Sequence, residues 1–88
     1  MMTLSDIRGR IDSLDERITG LLKERLFLAL KAGELKTGIE DKDRESDILS
    51  RIASNCVNAD QIQFLTEIYG QIFSSGKIIM SNHKKKND

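Results

Sequence analysis

The 88-residue sequence contains no proline and no tryptophan, and it has one cysteine and one histidine. Without proline, nothing obstructs long helices. Cys56 cannot form an internal disulfide, and no second thiol or close histidine accompanies it as a zinc site requires. His83, the single histidine, lies in a polar segment, and no serine or cysteine has a base beside it. We therefore expect no metal and no covalent catalysis.

An excess of charge of one sign is also absent, because 14 Lys and Arg residues balance 14 Asp and Glu residues. This balance argues against a general electrostatic grip on nucleic acid or an anionic membrane. The longest apolar run, residues 26–30, is far shorter than the roughly 20 residues that span a bilayer. Neither a signal peptide nor a glycine-rich phosphate loop is recognisable. We expect a cytoplasmic protein with no cofactor, no nucleic-acid partner and no membrane partner.

Apolar residues in the first 35 positions recur in alternating steps of three and four, which is the heptad pattern of a helix that pairs along one seam. A helix from Ser5 to about Lys36 would be roughly 48 Å long, longer than a compact chain of this size is wide. It must therefore protrude or pair, and Gly38 is suited to end it. The seam consists of Leu4, Ile7, Ile11, Leu14, Ile18, Leu21, Leu28, Ala32 and Leu35.

Two further helices are predicted after a short loop. Asp41 or Asp43 can cap the second helix, which we expect to end near Asn55. Asn58 and Gln61 form a weak capping-box signal ahead of the third helix, whose apolar residues again recur at helical spacing. The chain is therefore predicted to be all-α, with three helices of which the N-terminal one is long.

The end of the sequence differs in composition from the rest. Residues 81–88 contain no apolar side chain and include three consecutive lysines, which favours a frayed and solvated tail. The sequence contains no internal repeat, and nothing else in it suggests another domain. We therefore expect a single helical domain over residues 1–80 and a disordered basic tail over residues 81–88.

Arg25 occupies the one seam position that is not apolar, where an uncompensated guanidinium costs several kcal/mol of desolvation. A partner-chain carboxylate could neutralise it, the side chain could reach solvent, or an anionic ligand could bind it. Arg8 and Lys36 each follow a seam position and therefore edge the same groove. Arg8 and Arg25 are roughly 25 Å apart along one helix, so only an antiparallel partner helix could bring them together around one small ligand.

Glu45 lies in line with Leu49 and Ile52 on the second helix, so we expect its carboxylate to face the core, with Arg44 beside it. Such a carboxylate could form a structural ion pair with a buried cation. It could equally accept a hydrogen bond from a ligand hydroxyl. The residues themselves leave both interpretations open.

Four short segments together resemble the all-helical chorismate mutases, and the likeness covers Leu4 to about Met80. Each segment is weak alone, but their order and spacing are quite specific. The resemblance implies an intertwined helical homodimer with two shared active sites. It also implies the rearrangement of chorismate, a small dianionic substrate, to prephenate in aromatic amino-acid biosynthesis. The segments are IRGRIDSLD (7–15), LLKER (21–25), AGELK (32–36) and DRE (43–45).

The resemblance also implies roles for residues of the first helix. Arg8 would be donated across the dimer, and Arg25 would be its counterpart within the chain, the two gripping the carboxylates of the substrate. Lys36 would contact a carboxylate and the ether oxygen of the breaking bond. These three cations are therefore the catalytic candidates of the first helix.

Residues at the start of the second helix complete the set that the resemblance implies. Arg44 would support carboxylate binding. Glu45, with the backbone near Asp41, would hold the ring hydroxyl of the substrate. No nucleophile is needed for such a reaction, in keeping with the absence of one from the sequence.

Two substrate-binding positions of the third helix depart from the family pattern. Gly76 stands where the family usually has a small hydroxyl residue, and Met80 stands where it usually has a glutamine or glutamate that reaches the ether oxygen. Lys77 could offer a replacement ammonium, or it could simply be solvated. The departures leave room for a relative that acts on 4-amino-4-deoxychorismate or isochorismate, as mutase or pyruvate lyase. They also leave room for a non-catalytic dimerisation or ligand-sensing module.

Overall fold

The computed structural model describes residues 1–35 and 41–87, and this part of the chain forms three α-helices without any strand. Helix α1 spans Leu4–Leu35, α2 spans Lys42–Ser54 and α3 spans Ala59–Asn87. The predicted all-α class and the long N-terminal helix are thereby confirmed. Within the same residues, no helix is both long enough and apolar enough to cross a membrane.

A reciprocal pair of hydrogen bonds begins α1. The Thr3 hydroxyl accepts from the backbone N–H of Asp6 at 3.1 Å, and the Asp6 carboxylate accepts from the backbone N–H of Thr3 at 3.0 Å. The pKa of the Asp6 carboxyl group is lowered, mainly by the hydrogen bond from the Thr3 backbone and to a smaller extent by hydrogen bonding with the Thr3 side chain. A lowered pKa means that the folded state favours the charged carboxylate. The carboxylate of Asp6 therefore contributes to stability above its ordinary pKa, and this contribution is lost as the pH falls through the lowered pKa.

The caps of α2 and α3 also involve side chains close in sequence. Asp41 caps α2, its carboxylate accepting from the backbone N–H of Arg44 at 3.0 Å. The Asn58 side chain accepts from the backbone N–H of Gln61 at 2.8 Å, while the Gln61 side chain accepts from the backbone N–H of Val57 at 2.9 Å. Both caps agree with the sequence prediction. Each stabilises the start of its helix, because it satisfies a backbone N–H that lacks a partner within the helix.

Two helix ends bear on the predicted boundaries. Helix α2 ends beside Asn55, as predicted. Helix α3 instead continues to Asn87, through most of the segment predicted to be a frayed tail. The prediction rested on the lack of apolar side chains, but lysine forms helices well and its charge suits a helix C-terminus. Gly38, the predicted end of α1, lies outside the described residues.

Helix α3 is the element on which the others assemble, because both α1 and α2 pack against it. Helices α1 and α3 approach closely at Gly33, where Met80 lies against the backbone. Met80 is only 8% exposed, and Gly33 is buried as well. A residue without a side chain is therefore what allows the two helices to meet here.

The chain is elongated, with principal extents of 57 × 26 × 15 Å and a radius of gyration of 16.3 Å. A compact domain of this length has a radius of gyration of about 12 Å. The difference arises because α3 covers only the C-terminal half of α1. The seam of α1 is exposed along the helix, and its large apolar side chains, with exposed fractions between 41% and 90%, are Leu4, Ile7, Ile11, Leu14, Ile18, Leu21, Leu28 and Leu35.

The contact at Gly33 generates a prediction about stability. A Cβ at this position would lie 2.8 Å from the Met80 sulfur and 2.9 Å from its Cγ. Gly33→Ala should lower the free energy of unfolding by about 1 kcal/mol, because overpacking outweighs the gain in helix propensity. Urea unfolding at one fixed protein concentration measures this change.

Gly9→Ala is the matched control, because Gly9 lies on the side of α1 away from the seam and a Cβ there meets nothing within 4 Å. This substitution should raise the free energy of unfolding by up to about 1 kcal/mol. Equal stabilisation by Gly9→Ala and Gly33→Ala would contradict the close approach of α1 and α3.

Candidate active site

A cavity of about 300 Å³ lies among the three helices. Its volume is at the lower end of the range of about 300–1,000 Å³ that small-molecule sites occupy. Apolar side chains such as Leu28, Ile48 and Ile72 form part of its wall. We call it the charged cavity, after the charged residues that line it, which are Arg25, Asp41, Arg44, Glu45 and Lys77.

Arg25 is half-buried between α1 and α3. Its guanidinium carbon lies 5.8 Å from the centroid of the Tyr69 ring and 5.7 Å from that of the Phe73 ring. The two rings meet edge to face, with centroids 6.0 Å apart. Cations are attracted to aromatic faces at these distances, so the rings hold the guanidinium in place.

The charge of Arg25 in an apolar seam needs a stabilising interaction, and the two aromatic rings supply part of it. No carboxylate among the described residues forms an ion pair with it. A cation–π contact contributes about 0.5–2 kcal/mol, which is less than the several kcal/mol that a buried ion loses in desolvation. The site therefore retains a positive charge that can receive an anion.

Glu45 faces inward, as its position in line with the apolar residues of α2 predicted. Its carboxylate forms an ion pair with Lys77 of α3, with the ammonium nitrogen 3.0 Å from Oε2 and 3.3 Å from Oε1. The side chains of Lys77 and Glu45 are 27% and 24% exposed. Lys77, which the sequence left as either a replacement ammonium or a solvated residue, is therefore held at the cavity.

Asp41 and Arg44 bring the start of α2 to the cavity. Asp41 is half-buried, and its carboxylate is engaged by the N–H of Arg44 in the helix cap. The Arg44 side chain is exposed. The cap thus fixes the backbone at the edge of the cavity and leaves the guanidinium of Arg44 accessible to a ligand that enters.

Gly76 and Met80, the two departures on α3, both line the charged cavity. A Cβ at Gly76 would meet nothing within 4 Å, so the position leaves open space. Met80 is turned toward Gly33 of α1, and its thioether cannot donate a hydrogen bond. Neither side chain of this pair can hydrogen-bond an anionic ligand.

Arg8 is exposed on the N-terminal half of α1 and does not line the charged cavity. Lys36 lies outside the described residues. Of the seven predicted site residues within the described part of the chain, six line the charged cavity, and these are Arg25, Asp41, Arg44, Glu45, Gly76 and Met80.

A second, larger space of about 540 Å³ runs between α1 and α3. It shares four lining residues with the charged cavity, so the two spaces adjoin, and these are Arg25, Ala29, Ile72 and Gly76. We call it the apolar groove, because most of its wall comes from aliphatic side chains of both helices, including Leu22, Leu26, Ile68, Ile72 and Ile79. Its composition does not fit a small anion.

Sequence reasoning missed Tyr69 and Phe73 as the partners of Arg25. Their spacing fits the apolar stripe of the third helix, and this gives them no role toward Arg25. The available signal was that two aromatic residues four positions apart share one helix face, which makes a platform for a cation. Nothing in the pattern showed that this face would lie opposite Arg25. Within residues 1–35 and 41–87, no three His, Cys, Asp or Glu residues come together as metal ligands do.

Comparison with known proteins gives two findings. The profile of a family described as chorismate mutase type II matches residues 7–80. The bifunctional chorismate mutase/prephenate dehydratase of Aquifex aeolicus (strain VF5) is 31% identical to this chain over 83 residues. The match covers 90% of this chain and 20% of the relative, so the chain spans about a fifth of the length of that protein. No solved structure matches the chain significantly.

The contact of Arg25 with Phe73 can be measured by a double-mutant cycle. We expect Arg25→Met and Phe73→Leu to be coupled by about 0.5–1 kcal/mol in the free energy of unfolding, because each removes the same cation–π contact. Arg25→Met combined with Phe64→Leu is the control, since Phe64 is a 64% exposed ring of α3 away from Arg25. Equal coupling in both cycles would contradict the aromatic platform.

Proposed function

The chain belongs to the chorismate mutase type II family, and from this premise we propose that it catalyses the rearrangement of chorismate to prephenate. The observation that carries the proposal is the charged cavity. Within the matched residues, two guanidinium groups and an ammonium surround a small space that also contains the carboxylate of Glu45. A cavity of this size and charge suits a small dianion that carries a hydroxyl group.

The chemistry of this rearrangement fits a site that lacks a nucleophile. One carbon–oxygen bond breaks as one carbon–carbon bond forms within the same molecule, so no atom is transferred to or from the protein. The site has to hold the flexible enolpyruvyl arm over the ring and stabilise negative charge that develops on the ether oxygen. Fixed cations in a partly dehydrated cavity can do both.

Three cations from the first 36 residues of the sequence supply the first group of proposed contacts. Arg25, fixed on its aromatic platform, binds a carboxylate of the substrate. Lys36 contacts a carboxylate and the ether oxygen. Arg8 reaches the second carboxylate from a partner chain, which accounts for its distance from the cavity of its own chain.

The start of α2 and one face of α3 supply the remaining contacts. Arg44 supports carboxylate binding from the edge of the cavity, while Glu45 and the backbone near Asp41 hold the ring hydroxyl. The cap of α2 supports this assignment, because it fixes the backbone of these residues. Gly76 and Met80 shape the wall against which the substrate lies.

We further propose that the chain forms an intertwined homodimer. The exposed seam in the N-terminal half of α1 supports this, because each Leu or Ile whose exposed half becomes covered contributes roughly 1 kcal/mol. Monomeric proteins rarely expose so long an apolar stripe. Antiparallel pairing of two α1 helices covers the seam and brings Arg8 of one chain to Arg25 of the other. The lone Cys56 supports a location in the reducing cytoplasm.

The test of the proposed activity is the loss of chorismate ultraviolet absorbance, with identification of the product. We expect conversion to prephenate by the purified protein. Parallel assays with 4-amino-4-deoxychorismate and isochorismate decide the substrate. Faster turnover of either compound would overturn the proposal in favour of a related enzyme, and turnover of none would favour a binding module.

The shared site predicts recovery of activity on mixing two inactive variants. Arg8→Ala and Arg25→Ala should each lower kcat/KM by about 10²–10³-fold, because each removes a fixed charge from the reacting molecule. When the two are unfolded together in equal amounts and refolded, half of the dimers are mixed and each contains one intact site. Activity should therefore return to about a quarter of the wild-type value.

Each variant refolded alone is the control for this experiment. Labelled chains separated by mass verify that mixed dimers have formed. If verified mixed dimers show no more activity than the separate variants, Arg8 does not act across the dimer.

A further inference from the structure

Helix α3 presents one hydrogen-bonding side chain to the charged cavity among the described residues. The α3 residues that line this cavity are Ile72, Phe73, Gly76, Lys77 and Met80. Of these, only Lys77 carries a donor, because the others are apolar or have no side chain. A ligand that is held from the α3 side by a hydrogen bond from a side chain must therefore use the ammonium of Lys77.

The geometry of Lys77 is that of a positioned group. It is 32 residues away from Glu45 in sequence, and the ion pair connects α3 to α2 across the cavity wall. Both side chains are about one-quarter exposed, so water competes less for this pair than for one on the open surface. The ammonium has three N–H donors on a flexible stem, so it can keep a bond to Glu45 while turning another toward a ligand.

The charge of the cavity also depends on Lys77. Among the described lining residues, Arg25, Arg44 and Lys77 are cationic, whereas Asp41 and Glu45 are acidic, which leaves one net positive charge. Without Lys77 these groups would sum to zero. A neutral cavity has little electrostatic attraction for a dianion. In addition, the carboxylate of Glu45 would lose its ion-pair partner Lys77 and would lie near the carboxylates of the bound dianion.

We propose that Lys77 is a further substrate-binding residue, whose ammonium is held at the cavity wall by Glu45 and donates a hydrogen bond to an anionic oxygen of the bound dianion. This inference rests on the proposed function. Lys77 then supplies from α3 the polar contact that Gly76 and Met80 cannot make. It also keeps Glu45 neutralised until the substrate hydroxyl arrives.

The test measures the binding of prephenate by calorimetry and steady-state kinetics with chorismate. Lys77→Met should weaken prephenate binding by about 10- to 100-fold, as expected for a lost hydrogen bond to a charged group. KM should rise by a similar factor, with a smaller change in kcat. Lys77→Arg should recover most of the affinity, because it restores a cation at the same place.

Lys31→Met is the matched control. Lys31 is also a lysine paired with a glutamate, Glu34 at 3.9 Å, but its side chain is 57% exposed and it does not line the charged cavity. The substitution changes the net charge of the chain by the same amount. We expect it to leave prephenate affinity and KM within about twofold of wild type, since exposed pairs contribute little.

The same substitution made in the Glu45→Gln variant distinguishes a direct contact of Lys77 with the anion from a merely structural role as the partner of Glu45. In Glu45→Gln the acidic partner is gone, so a structural role predicts no further loss of prephenate affinity when Lys77→Met is added. A direct contact with the anion predicts that the additional loss remains about tenfold or more. Thermal unfolding of every variant shows that the helical fold is retained.

The failures of the two proposals are distinguishable. If the wild type converts chorismate but Lys77→Met behaves as Lys31→Met does, this inference is wrong and the proposed function stands. If Lys77→Met causes no further loss in the Glu45→Gln background, Lys77 acts only through Glu45, and the inference is again wrong. A wild type that neither converts chorismate nor binds prephenate overturns both proposals.

Discussion

Helix α1 is too long and too apolar to be covered by the rest of its own chain, and this constraint explains most of the structure. Helix α3 packs on its C-terminal half, where Met80 lies against Gly33. The heptad seam lies on an adjacent face, and its Leu and Ile side chains stay exposed along the helix. A single chain is therefore elongated, with few buried residues among those described. A second copy is the simplest way to cover the seam.

Arg25 stands where these two faces of α1 meet. It fills a heptad position, yet it also lines the charged cavity and the apolar groove. The guanidinium carbon lies within 6 Å of the centroids of the Tyr69 and Phe73 rings. This arrangement reconciles a charged residue with an apolar seam, because the aromatic rings stabilise the cation without neutralising it.

Helix α3 divides its contribution between packing and charge. Met80 fills the space over Gly33 of α1. Lys77, one turn away, directs a charged group toward α2 instead. A chain with methionine in a position expected to be polar therefore still has an ammonium on the same helix. In our proposal, the departures from the family pattern change which α3 residue contacts the substrate rather than remove polar contact from this helix.

How much of the fold and of the candidate site could be predicted from the sequence depends on whether a feature arises from residues that are close together in the chain. Hydrophobic periodicity and the absence of proline predicted three helices, and Asp41 and Asn58 predicted their starts, because these features arise within a few residues of chain. The tail was predicted poorly, since a lack of apolar side chains shows that a segment is not packed but does not show that it is not helical. The inward direction of Glu45 followed from its place on the α2 stripe.

The amino-acid sequence alone determined the helices, the seam with its single arginine, and the family to which these segments point. Only the tertiary structure decided that Tyr69 and Phe73 lie beneath Arg25 and that Lys77 faces Glu45. The physical reason is that helical periodicity states which residues share a face. Which face meets which depends on how closely two helices approach and rotate, and this depends on contacts between residues distant in the chain, such as Met80 and Gly33, which are 47 positions apart.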